Sequence, residues 1–223
     1  MTHLLRRLVD RAVLRDRSYA FLFRDQETDE AVSLDCETTG FDPWVDEIVS
    51  VAAIPIRGSR VLASRSYRAL VRPKSAVNAR SIRVHQLREK DLEGARPMDD
   101  VLPELLRFIG ARPVVGYWID FDVRMLDKYL IEKLNIHLPN RQVDISRLYY
   151  QRKYGNAPPG TRIDLTFAAM RRDLGVPVLP EHDAFNDALS AALMYVLLKD
   201  MARRGARIPR ERTERGSIGF AAA

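Results

Sequence analysis

The sequence predicts a mixed α/β fold in which helices cover a sheet, and three observations carry that prediction. First, three apolar, strand-like stretches follow one another: the run ending at Leu34, then Ile48 to Ile56, then Val61 to Val71. The last two are separated by Arg57-Gly58-Ser59-Arg60, and Gly-Ser between two such runs signals a hairpin, so three consecutive antiparallel strands are expected. Second, the period then changes to helical: Met98 to Ile109 places Val101, Leu102, Leu105, Leu106 and Ile109 along one stripe. Third, a short apolar run, Pro113-Val114-Val115-Gly116-Tyr117, stands among helical segments as one more buried strand. Strands first, then a strand among helices, describe a layered sheet with helices packed on it.

Taken in order, residues 1–30 open with Leu5, Leu8, Val9, Ala12 and Val13 at helical spacing, with Arg6, Arg7, Asp10 and Arg11 between them. This is an amphipathic helix, expected to fold onto the main domain and to end in the aromatic patch Tyr19, Phe21 and Phe23. Arginines interrupt every apolar run here, which argues against a secretory signal, and Asp10 and Asp16 sit badly in a transit peptide. Residues 31–200 form the expected central domain, with helical segments at 122–134, 144–154, 163–174 and 184–203. Gly175-Val176-Pro177 stops the third of these before the fourth begins. Residues 201–223 carry Arg203, Arg204, Arg207, Arg210, Arg212 and Arg215 with few apolar neighbours, which describes a solvated basic tail or a nucleic-acid contact arm.

Composition narrows the class. A hydrophobic fraction of 46% over 223 residues supplies a core, and no stretch has the uninterrupted apolar length of a membrane span. A single cysteine excludes an internal disulfide framework and suits a reducing compartment, so the chain is expected in the cytoplasm. The formal charge of +6 is compatible with a polyanionic partner without requiring one.

Three motifs carry chemistry. In Val32-Ser33-Leu34-Asp35-Cys36-Glu37-Thr38-Thr39-Gly40, residues i and i+2 of a strand share a face, so Asp35 and Glu37 point together while Leu34 and Cys36 turn inward. Paired carboxylates suit a hard divalent cation; two solvated acids on an edge strand are the plainer alternative for this motif alone. Ile119-Asp120-Phe121-Asp122 sits where the strand at 113–117 turns into a helix. His182-Asp183-Ala184-Phe185-Asn186-Asp187-Ala188 opens the last long helix, with Asp183 placed where an N-cap belongs.

In their order and spacing these motifs, with Glu37-Thr38-Thr39-Gly40 and Val84-His85-Gln86-Leu87, resemble the DEDDh 3′-to-5′ exonucleases. That group includes the epsilon proofreading subunit of bacterial DNA polymerase III. The resemblance spans roughly residues 31–200 and implies a ribonuclease-H-like mixed sheet, three antiparallel strands plus parallel strands. It implies that Asp35, Glu37, Asp122 and Asp187 bind two divalent cations, magnesium or manganese, and that His182 is the general base. A histidine titrating near neutrality suits that task. It further implies that Thr38, His85 and Phe121 contact the terminal nucleotide. Asp120 competes with Asp122 as the third acid; the family pattern puts its acid directly after Phe, so Asp122 is the ligand and Asp120 the helix cap.

One departure stands out: family members often carry His-Asn after the second motif's small residue, where this chain has Tyr117-Trp118. No ligand is lost, but substrate preference is exposed to change. The expected activity is release of nucleoside monophosphates from 3′ ends, single-stranded DNA first. An RNA-trimming exoribonuclease or oligoribonuclease is the rival on the same scaffold, and a catalytically silent nucleic-acid-binding module is the rival from another class. Nucleic acid is the expected partner, a membrane is not, and the oligomeric state stays open, a homodimer included.

Overall fold

Strict alternation builds the centre of the sheet. A computed structural model describes residues 3–24, 29–75 and 79–210, and in it β1 (Glu30–Thr38) is the middle strand. Its neighbour β2 (Ile48–Arg57) runs antiparallel, pairing Leu34 with Ala53 and Asp35 with Ala52. The further strands are β3 (Arg60–Val61), β4 (Tyr67–Arg72), β5 (Arg96–Pro97), β6 (Val114–Gly116) and β7 (Gln142–Asp144). The order is β5-β4-β2-β1-β6-β7, with β3 paired to β2. On one side of β1 the pairs β1–β2 and β2–β4 are antiparallel; on the other, β1–β6 and β6–β7 are parallel. This is the mixed sheet the sequence predicts, with β5 and β7 added at the edges. At two or three residues each, both are too short to stand out by periodicity.

The helices are α1 (His3–Val13), α2 (Ala79–His85), α3 (Glu89–Leu92), α4 (Met98–Ile109), α5 (Ile119–Leu134), α6 (Ile145–Lys153), α7 (Phe167–Asp173) and α8 (Ala184–Arg203). The two faces of β1 bury different layers. Val32, Leu34 and Cys36 pack with Val101 and Leu105 of α4 and with Val123 and Leu126 of α5. Each such fully buried aliphatic contributes about 1.5–3 kcal/mol. On the opposite face Ala31 lies with Ala191, Met194 and Leu198 of α8, and the Ser33 hydroxyl donates to the Ala188 carbonyl at 2.8 Å. Asp35 and Glu37 continue that second face, so α8 is the element laid across them. No helix among the described residues is long and apolar enough to cross a membrane.

Four expectations are corrected. The stretch 61–71 is not one strand: the register slips by three residues between the Ile56–Val61 and Ala53–Tyr67 pairs, and Ala63–Arg65 absorb the slip in a 3₁₀ turn. The helix expected from 122 starts at Ile119, because Trp118 adopts a left-handed conformation (φ 52°) that turns the chain straight into it. Asp120 therefore lies inside the first turn and caps nothing; it is exposed and pairs with Arg124 at 2.5 Å. The segment 163–174 is helical only from Phe167, where the Thr166 hydroxyl accepts from the Ala169 N–H at 3.3 Å. The fourth correction concerns α1, which docks by its polar side. Asp10 is buried and Arg6 reaches Asp127 at 3.5 Å, while Leu5, Leu8, Val9 and Val13 face outward. Leu14, Leu22 and Phe23, just after it, are the residues that enter the core.

At the other end, α8 runs three residues past position 200, and Ile208 is buried with its N–H donating to the Arg152 carbonyl. The basic segment thus begins folded, Arg203 and Arg204 pairing with Asp200. Arg212 and Arg215 lie outside the described residues.

Candidate active site

Two glycines let three elements meet at the C-terminal end of β1. A Cβ on Gly116, the last residue of β6, would lie 2.9 Å from the Leu34 carbonyl and 2.8 Å from Ile119. A Cβ on Gly40 would lie 2.4 Å from the Asp46 carboxylate. That carboxylate closes the turn after β1, accepting from the Thr39 hydroxyl (3.0 Å) and the Asp42 N–H (2.9 Å). The Thr38 hydroxyl is spent inside the same turn, donating to the Gly40 carbonyl at 2.6 Å.

From β1 come Asp35 and Glu37, on one face as alternation requires. From α8 comes Asp187, in the first turn of a helix whose N-cap is Asp183, accepting from the Asn186 N–H at 2.9 Å. Carboxylate oxygens of Asp35, Glu37 and Asp187 all lie within 4.8 Å of one another. Asp122 arrives from α5 and stands behind this trio. It is buried, and its Oδ1 accepts the Cys36 main-chain N–H at 2.9 Å. Among the described residues no lysine or arginine pairs with any of the four acids.

The electrostatics follow. Burial first, then the neighbouring carboxylates of Asp122, Glu37, Asp187 and Asp183, push Asp35 well above the ordinary carboxylate range. Glu37 is pushed up to about 7 by burial and by Asp187 and Asp183. Asp122 rises to about 8 through burial, against the pull of the Cys36 N–H. Asp187 is raised by burial, less so because the His182 N–H donates to its Oδ2 at 2.9 Å. Four acids that resist ionisation for want of positive charge, offering hard oxygen donors at one point, fit a hard divalent cation.

His182 is exposed, and its left-handed backbone (φ 61°) turns its N–H onto Asp187. Its charge is felt by His85, which is buried and whose pKa is lowered, chiefly by burial. The Nδ1 of His85 accepts from the Leu87 N–H at 3.0 Å, and its Nε2 has no partner among the described residues. Phe121 is half-buried against the core, 6.2 Å from the ring of Phe41, which is 74% exposed. Sequence reasoning missed Phe41 and the Cys36 N–H. An exposed aromatic just past the Gly40 turn was a visible signal for the first; nothing in a sequence announces the second.

The RNase_T family model, described as Exonuclease, matches residues 32–195. The chain is 26% identical over 196 residues to a DNA polymerase III PolC-type protein from Thermotoga petrophila, covering 86% of this chain and 13% of that one. It is 31% identical over 98 residues to a DNA polymerase III subunit epsilon from Aquifex aeolicus, covering 44% of this chain and 48% of that one. The chain thus spans less than half of these relatives' own length. Among solved structures it is similar to Exonuclease X in complex with 5′ overhanging duplex DNA (TM-score 0.60, 20% identity, 80% of this chain and 95% of that one). It is also similar to the nuclease domain of 3′hExo, a DEDDh family member, bound to rAMP (TM-score 0.64, 15% identity, 83% and 98%). At these identities the structural likeness is one of fold.

Proposed function

The chain belongs to the RNase_T exonuclease family, and on that premise we propose that it removes nucleoside monophosphates from the 3′ ends of nucleic acid, single-stranded DNA first. The observation that carries this reading is the meeting of Asp35, Glu37 and Asp187 carboxylates, backed by Asp122, with no cationic side chain among them. Asp35, Glu37, Asp122 and Asp187 would hold two divalent cations, magnesium or manganese. When bound, these neutralise charge on the entering and leaving oxygens of a phosphodiester and lower the pKa of water.

The chain's own groups do the rest. Asp187 is held by the His182 N–H, so one residue both fixes an acid and carries the imidazole proposed to take the water's proton. Asp122 is oriented by the Cys36 N–H, which its Oδ1 accepts at 2.9 Å. Phe121 and Phe41 offer ring faces for the terminal base, and the unpaired Nε2 of His85 offers a hydrogen bond to the nucleotide. Thr38, its hydroxyl committed to Gly40, contributes the shape of the turn. We place this chemistry in residues 31–200, with 1–30 a helical extension and 201–223 a basic extension, in the cytoplasm.

Matched DNA and RNA oligomers labelled at the 3′ end, with and without manganese, test the reading. Metal-dependent release of mononucleotides, faster from DNA, is expected. Efficient cutting of a circular single strand would show an endonuclease instead.

A further inference from the structure

Trp118 is 61% exposed and holds a left-handed backbone conformation, an uncommon one for so bulky a residue. It precedes Asp122 by four residues, so it stands about one helical turn from the acidic site. Its neighbour Tyr117 ties this corner to the next loop. The Tyr117 hydroxyl donates to the Leu165 carbonyl at 3.1 Å, and its ring lies 5.1 Å from Phe167 and 5.9 Å from Trp118.

That loop forms one wall of a half-open cavity of about 950 Å³, lined by Lys153, Arg162, Arg172 and Arg210 against a single acid, Asp164. Two of these charges are committed: Lys153 to Asp173, and Asp164 to the Thr166 N–H and hydroxyl. Of the three guanidiniums, Arg172 pairs with Asp173 at 3.4 Å and shares that carboxylate with Lys153, Arg210 meets a neutral amide oxygen of Asn156 at 3.4 Å, and Arg162 has no partner among the described residues. A cavity wall in which guanidiniums and an ammonium outnumber carboxylates suits phosphate, which a guanidinium binds in bidentate fashion. An exposed indole next to Tyr117, and so beside the loop that walls this cavity, suits a base, since every base has a face to stack.

We propose that the strand upstream of the terminal nucleotide leaves the acidic site across Trp118 and lays its backbone phosphates against Arg162, Arg172 and Arg210. This rests on the 3′-exonuclease reading of the acidic site and specifies single-stranded nucleic acid several nucleotides long as the substrate class. The Tyr117-Trp118 pair, a departure from the family pattern, thereby becomes a specificity element.

The test uses the full chain with manganese, a twelve-residue oligothymidylate and a thymidine dinucleotide. Wild type should show a lower KM for the long substrate than for the dinucleotide. Arg162→Ala with Arg172→Ala should lose most of that advantage. With a phosphorothioate at the 3′-terminal linkage to slow turnover, the slope of log affinity against log salt should fall by about 1.4, at about 0.7 per lost single-strand phosphate contact. Trp118→Ala should weaken the long oligomer about 5- to 150-fold, and Trp118→Phe should recover most of it. Arg162 is exposed, so Arg162→Glu checks the result without risk to folding, and should weaken binding further. If wild type cuts both substrates and the arginine variants keep its KM advantage and salt slope, this inference is overturned while the exonuclease reading stands. If wild type cuts neither, the reading beneath it fails.

Discussion

Two groups of buried carboxylates sit in this molecule under opposite electrostatic regimes. Beneath α1, Asp10 and Asp127 are 5% and 7% exposed; at the end of β1, Glu37 and Asp122 are 9% and 4% exposed. Burial alone would penalise all four alike. Under α1, however, the protein supplies compensation. Arg6 stands 3.5 Å from Asp127 and 3.9 Å from Asp10, His137 lies 3.4 Å from Asp10, and the Leu138 N–H donates to Asp127 at 2.6 Å. Asp127 rises only to about 6, and Asp10 is anchored. At the end of β1 each acid's neighbours are further acids, and Asp122 is pushed up to about 8. The comparison teaches where missing charge must come from. A cluster built for stability brings its own counter-charge, here Arg6, and a cluster built for chemistry leaves room for external cations.

Breaking the comparison at the β1 end gives the largest effect. Asp35→Ala or Asp187→Ala should abolish turnover, a loss of at least about 10³-fold for several kcal/mol of charge stabilisation. The fold should survive, because removing one acid relieves repulsion. Substantial nuclease activity in a verified Asp35→Ala preparation would remove the metal-site reading. His182→Ala comes next, with a loss on the order of 10²–10⁴-fold in kcat for an acid–base group. Metal and oligonucleotide binding should persist, since all four carboxylates remain. A folded variant turning over at a near wild-type rate would hand the role of base to another group, His85 first.

The α1 cluster should give a smaller effect of another kind. Asp127 titrates near 6 when folded, against about 3.9 in an unfolded chain. The folded state therefore holds its proton more tightly, and this contribution to stability is complete below about pH 4 and lost as pH rises through 6. Asp127→Asn keeps an oxygen for the Leu138 N–H and should flatten that decline, by on the order of 2 kcal/mol between pH 4 and 7. Denaturant unfolding at several pH values measures it, and turnover should not change. An unaltered stability profile would mean that Asp127 is already fully paired by Arg6.

Much of this was legible in the sequence, for reasons that can be named. Alternation put Asp35 and Glu37 on one face, and a single-residue offset would have buried them among Leu34 and Cys36. Asp183 was recognisable as an N-cap, and Ala184–Arg203 is the helix expected there. The misses have physical causes too. Asp120 looked like a cap because no pattern reveals that Trp118 takes a left-handed conformation and starts the helix at Ile119, three residues earlier than expected. The apolar stripe of α1 suggested burial, yet Arg6 and Asp10 on its other side found stronger partners in Asp127 and His137. The strand 61–71 broke because a hairpin register, set by Gly58 and Ser59, did not match the register β4 takes further along β2. Conformation at single residues and choice between competing faces are decided by tertiary contacts.

The most direct measurement is thermal unfolding of metal-free wild type and Asp35→Asn, each with and without manganese at pH 8. Without metal, Asp35→Asn should melt higher than wild type, since one member of a mutually repelling set is neutral. With manganese at a hundred times its Kd, wild type should gain about 5–10 °C, and Asp35→Asn should gain little. A metal response that is absent from both proteins, or equal in both, would contradict the claim that the end of β1 is built to receive divalent cations.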